Sequence, residues 1–154
     1  MHFRIQGLDP APFAPLFAMS GEELSRRHIV RVVADAKPGF PCRVSLEDAQ
    51  PGKPLLLLNY EHLPVDSPYR ASHAIYVAAD AKRFDAVDAV PAALRDRLLS
   101  LRAFDAAGMM IDADIAQGRE VEPLIERLLA SPRTRYVHAH FARRGCFAAR
   151  IEHA

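Results

Sequence analysis

Several signatures of common chemistry are missing from this chain. It has no GxxxxGKS/T phosphate loop, no GxGxxG turn and no GxSxG nucleophile elbow, so nucleotide binding and α/β-hydrolase chemistry have no motif support. Neither HExxH nor CxxC occurs. Long apolar runs are absent as well. Leu55 to Leu58 are four leucines, far short of the roughly 20 residues a helix needs to cross a bilayer. The opening MHFRIQGLDPAPF lacks a charged segment followed by an apolar one, so no signal peptide is expected. Cysteine is scarce. Cys42 and Cys146 cannot form a disulfide framework, and a cytoplasmic protein with reduced thiols is expected, with a single Cys42–Cys146 bridge left open. Neither sign of charge prevails, with 20 Lys and Arg against 19 Asp and Glu and a net charge of +1. That balance gives a nucleic-acid partner no support, the short apolar run leaves no membrane partner expected, and a protein partner is undefined.

What is present describes a soluble globular chain. At 154 residues, half hydrophobic and a quarter charged, it fits one domain over 1–154 with a core of its own. Twelve prolines and seven glycines cut it into short elements. Strands are expected at 2–8, 29–33, 42–46, 55–62 and 72–80, where β-branched and apolar residues are bounded by turn residues. The leucine run reads as a strand buried on both faces. Ser20 followed by Glu23 is a capping-box pattern and predicts a short helix. A second short helix is expected over 90–99. In 119–132, Val121, Leu124, Ile125, Leu128 and Leu129 form one apolar helical stripe that ends at Ser131-Pro132. The fold class is α+β: a mainly antiparallel sheet with short helices and C-terminal β-hairpins separated by an amphipathic helix.

Each hairpin has a loop ending in glycine, which adopts a left-handed conformation without a Cβ penalty. With Ala106-Ala107-Gly108 as one loop, Asp105 faces Met109, Phe104 faces Met110 and Arg102 faces Asp112. With Arg143-Arg144-Gly145 as the other, Ala142 faces Cys146, Phe141 faces Phe147, His140 faces Ala148, Ala139 faces Ala149 and Val137 faces Ile151. That register puts Phe141, Phe147 and the other apolar residues on one face and His138 and His140 on the other.

The phrases PGFPCRVSLEDAQPG (38–52), LLLLNYEHLP (55–64), SPYRASHAIYV (67–77), LSLRAFDAAGMM (99–110) and HAHFARRGCFAARIEHA (138–154) together resemble an uncharacterised bacterial family, domain of unknown function 1203. The resemblance spans nearly the whole chain. That family has no established activity, so the resemblance implies no catalytic residue.

Candidate sites therefore come from the residues. His138 and His140, two apart on a strand, project the same way and can share one Zn²⁺, Fe²⁺ or Ni²⁺. A third ligand would come from Cys146, His62, His73 or a carboxylate. The plain structural alternative is that both imidazoles hydrogen-bond on a half-exposed sheet face. Cys146 is a candidate nucleophile with His138 or His140 as its base, near Arg143, Arg144 and Arg150, although a cysteine beside a glycine turn also serves simply as packing. Arg43, Arg70, Arg102 and Arg144 are candidates for an anion pocket, and the loop 60–73 gathers Tyr60, His62, Asp66, Tyr69, Arg70 and His73 into a possible wall. The alternative is that these arginines pair with the carboxylates. The expectation that follows is a small-molecule protein for an anion or carboxylate, with Tyr69, Arg70, His138 and His140 near one cleft. An enzyme using a His138/His140 metal site or Cys146 with His140, and a protein-interaction module, are the alternatives. No cofactor is specified.

Overall fold

Proline and capping chemistry delimit the elements seen in a computed structural model covering residues 1–154. Strand β1 (Phe3–Gln6) leads through a proline-rich 3₁₀ turn at Ala14–Ala18 to helix α1 (Gly21–Arg26) and strand β2 (Val30–Val33). Strands β3 (Pro54–Leu63), β4 (Ala71–Ala78) and β5 (Asp85–Val87) follow, then helix α2 (Ala92–Arg95). The C-terminal half contains β6 (Leu98–Phe104), β7 (Met110–Gln117), α3 (Glu122–Leu129), β8 (Tyr136–Phe141) and β9 (Phe147–His153). The fold is α+β, with the two C-terminal hairpins on either side of α3. No helix is long and apolar enough to cross a membrane.

The capping box at α1 forms as the sequence requires. Ser20 Oγ accepts from the Glu23 amide at 3.2 Å, and the Glu23 carboxylate accepts from the Ser20 amide at 2.7 Å. Other expected boundaries change. Residues 42–46 form a tight turn with one isolated bridge, Cys42 to Tyr76, and not a strand. The expected helix over 90–99 shortens to one turn because Leu98 and Leu99 are drawn into β6 by pairing with β7 and β8. Strand β5, Asp-Ala-Val, is an edge strand too short for its sequence to announce.

All strand pairs are antiparallel, in a six-stranded sheet ordered β5-β1-β9-β8-β6-β7 and a three-stranded sheet ordered β2-β3-β4. Side chains on a strand alternate between faces. One face of the large sheet carries Leu99, Leu101, Val137, Ala139, Ala149 and Ile151, which pack in one core with Val121, Ile125, Leu128 and Leu129 of α3 and the residue before it. The opposite face carries Arg102, His138 and His140, and the small sheet lies against it, with His62 of β3 stacked on Phe147 at 4.9 Å. A second core, built on Leu55, Leu56, Leu58, Ile75 and Val77, seals the far end of the small sheet against Phe13 and Leu24. The leucine run is buried as expected at its start, but the strand opens to solvent at Asn59 and Glu61.

Bulges revise both hairpin registers. Phe104 pairs with Met110, but an irregularity then sets Ala103 opposite Asp112 and Arg102 opposite Ala113. The expected Arg102–Asp112 pair is absent. Asp112 binds Arg127 of α3 at 2.8 Å instead, since the helix brings a guanidinium to the edge strand. In the C-terminal hairpin, Val137 faces Ile151 and Ala139 faces Ala149, as expected. Beyond that a bulge puts His140 opposite Phe147 in place of Ala148. Ala148 therefore joins the α3 core, and Phe147 turns to the histidine face.

The exit of β1 supports the same region. The Leu8 amide donates to the Arg43 carbonyl at 2.8 Å, and a Cβ on Gly7 would lie 2.0 Å from the Val44 carbonyl oxygen. Two backbones meet there without room for a methyl group. Gly7→Ala is therefore expected to destabilise the protein by about 2–3 kcal/mol, read as a lower urea midpoint. An unchanged midpoint would show that the 43–44 turn moves aside freely.

Candidate functional site

The interface between the sheets is lined by rings. Strand β8 supplies Tyr136, His138 and His140, β9 supplies Phe147, β6 supplies Phe104, and the small sheet supplies Tyr60, His62 and His73. The two-residue spacing of His138 and His140 is what directs both imidazoles here, and they are 2% and 0% exposed. His62 arrives at 9% exposure because Tyr60 and His62, also two apart, continue the inward face of β3. Ligand atoms of His62, His138 and His140 all lie within 4.8 Å of one another.

The hydrogen bonds around these rings are specific. His62 Nδ1 and His138 Nδ1 are 3.4 Å apart, and His62 Nε2 lies 2.8 Å from His73 Nδ1. His140 Nδ1 is 3.0 Å from the Gly145 carbonyl oxygen, while its Nε2 is buried with no partner. Arg102, opposite His138 on β6, has no carboxylate and donates only to Ser100 Oγ at 3.3 Å. Burial foremost, then neighbouring positive charge from His73 and Arg102, lowers His62 to about 4. Burial and the adjoining histidines and arginines lower His138 to about 2. Burial lowers His140 to about 3, against the opposing hydrogen bond to Gly145. His73 is lowered for the same first reason. The cluster is therefore neutral at pH 7, the state in which imidazole nitrogens bind metals.

Beside the rings opens a cavity of about 900 Å³, lined among others by Arg43, Arg97, Arg143, Arg144, His73, Tyr76, Phe141 and Cys146. Arg43 is 2% exposed. Its guanidinium donates to the Phe147 carbonyl at 2.7 Å, the Pro41 carbonyl at 2.6 Å and Cys146 Sγ at 3.0 Å, and it lies 4.7 Å over the Phe141 ring. No carboxylate reaches it, and burial, the largest cause, pushes its affinity for a proton down. Arg97 differs: it holds Asp48 through two contacts of 2.7 Å. Burial alone would raise the Asp48 carboxyl, but this pairing keeps it below the usual range. Arg143 and Arg144 are exposed in the hairpin loop and form no ion pair.

The expected residues are thus divided. His62, His138 and His140 converge, with His73 behind them. Arg43, Arg144 and Cys146 converge in the cavity, which His73 also lines. Tyr69 and Arg70 do not line it. Arg70 binds Glu61 at 3.1 Å, and Tyr69 meets the histidine face only through the edge of Phe104. Cys146 and His140 share no hydrogen bond: Cys146 Sγ accepts from Arg43, and His140 Nδ1 meets the Gly145 carbonyl. Both cysteines are free thiols. Arg97, hidden within an expected helix, and Phe147, expected on the apolar face of the hairpin, carry no local signal of their place here.

Geometry and fold together define an α+β protein with a ring-lined seam between two antiparallel sheets and a basic cavity at its side. The chain belongs to the family described as "Protein of unknown function (DUF1203)", whose model matches residues 39–153. No curated protein and no solved structure matches it significantly.

The buried neutral histidines couple stability to pH. Their folded pKa values lie below the unfolded value of about 6.5, so the unfolded chain binds protons first as the pH falls. Stability is full above about pH 7 and is lost on descending toward pH 4, by roughly 1 kcal/mol per pH unit for each such histidine. Urea unfolding in chelator across that range should show the loss, and His62→Phe, which keeps a ring on Phe147, should flatten it.

Proposed function

We propose that the protein binds a small anionic ligand, of the size of a carboxylate or phosphate compound, in the cavity beside the sheet seam. One observation carries this: Arg43 is 2% exposed yet faces no carboxylate. A buried charge is ordinarily paired, because leaving water without a counter-charge costs several kcal/mol. Carbonyl oxygens, the Phe141 ring and the Cys146 sulfur orient the guanidinium but do not supply a full resident anion. Arg143 and Arg144 add unpaired charge on the cavity wall, where a ligand would gain forked, charge-assisted hydrogen bonds. The ligand-binding role first expected near Arg70 thus moves to Arg43, since Arg70 is already neutralised by Glu61. The free thiols fit the reducing cytoplasm.

A second function, thiol chemistry, is favoured by the position of Cys146 Sγ in the same cavity, on the Arg43 guanidinium. One experiment addresses both. Iodoacetate, itself a carboxylate, should alkylate Cys146 faster relative to neutral iodoacetamide than it does a free thiol in solution, while the 1% exposed Cys42 is spared. Phosphate or a small carboxylate should raise the melting temperature and slow the alkylation. An Arg143→Ala/Arg144→Ala double variant should lose most of both effects, whereas Arg70→Ala should keep them. Equal reagent preference and no stabilisation by any anion would end the proposal.

A further inference from the structure

His62, His138 and His140 do not line the anion cavity, and their arrangement points to a separate ligand. The Gly145 carbonyl can only accept a hydrogen bond, so His140 Nδ1, at 3.0 Å from it, carries the ring proton. Its Nε2 is then a bare lone pair, fully buried and without a donor. Such a group is costly unless something fills the missing contact. The two nearest imidazoles present more nitrogen acceptors. His62 Nδ1 and His138 Nδ1 are 3.4 Å apart, which is the spacing of two nitrogens bound at about 2.0–2.1 Å to one tetrahedral ion.

The outer contacts agree with this arrangement. Metal-bound histidines commonly donate their other ring N–H to a carbonyl or another acceptor, which fixes the tautomer. His140 does so through Gly145, and His62 does so if its Nε2 donates to His73 Nδ1 at 2.8 Å, leaving Nδ1 free to ligate. No carboxylate joins the set, which disfavours Mg²⁺ and Ca²⁺ and suits first-row ions that accept imidazole.

We propose that His62, His138 and His140 form a three-imidazole site for a zinc-class divalent ion, held in orientation by the Gly145 carbonyl and His73. Three neutral ligands leave the ion's charge uncompensated and its fourth position open. Arg102, which has no carboxylate partner, makes an anion or hydroxide the favoured occupant of that position. The site does not depend on the anion cavity and stands or falls separately from it.

The test uses untagged protein stripped of metal and shown to be folded by circular dichroism. Co²⁺ titration should saturate at one ion per chain with visible ligand-field bands of a four-coordinate site, and Zn²⁺ should displace it. His140→Ala should weaken Co²⁺ binding at least about 100-fold, and His73→Ala about 10- to 100-fold with the stoichiometry kept. Cys146→Ser should bind as the parent does. Should His140→Ala fail to fold, ¹⁵N imidazole spectra of the parent decide: Zn²⁺ must shift His140 Nε2 and the Nδ1 atoms of His62 and His138. Folded parent protein that takes up neither ion, or unmoved imidazole signals, would overturn the site and leave a proton-sharing His73–His62–His138 chain.

Discussion

The bulge at the end of the C-terminal hairpin sets the geometry on which the seam depends. A regular ladder would carry Phe147 into the core under α3, where Phe141 already stands. By doubling Ala148 and Ala149 on the core face, the bulge substitutes a methyl group for a phenyl ring and sends Phe147 across the sheet. There it stacks on His62 at 4.9 Å and meets His138 and His140 edge-on. The same local departure leaves the Gly145 carbonyl within reach of His140 and the Phe147 carbonyl within reach of Arg43. One extra residue in a strand thus ties the small sheet to the large one and orients a member of each polar group.

Two kinds of buried polarity meet at this junction and have different physical solutions. The imidazoles escape the cost of burial by being neutral, with His73 meeting one nitrogen of His62 and the Gly145 carbonyl one of His140. Arg43 has no such escape, because a guanidinium keeps its proton under ordinary conditions. Its charge is spread over carbonyl dipoles, a sulfur and an aromatic face. Nearby, Arg97 has its own carboxylate in Asp48, which removes it as a competitor for an incoming anion. The contrast between these neighbouring arginines separates a structural ion pair from a group awaiting a partner.

His73 stands between the regions, lining the cavity and hydrogen-bonding to His62. The rigid frame for both is the same: α3 seals one face of the large sheet, and the second core seals the far end of the small one. The polar groups occupy the part of the interface that neither core fills.

The sequence by itself determined the periodic elements and their local chemistry. The apolar stripe of α3, the Ser20–Glu23 cap, the glycine-ended hairpins and the shared face of His138 and His140 all follow from residues a few positions apart. Helical and strand periodicities are local, so such features are legible in one chain. It also named Arg43, His62, His73, Arg144 and Cys146 as candidates without showing which would meet. Tertiary structure alone decided that Arg70 turns to Glu61, that Asp112 takes Arg127 in place of Arg102, and that Phe147 changes faces. Those outcomes depend on sheet-to-sheet packing and on a one-residue bulge. Alternation along a strand assigns each side chain to a face, but only the packed neighbours determine where the alternation slips and which distant group each side chain finds.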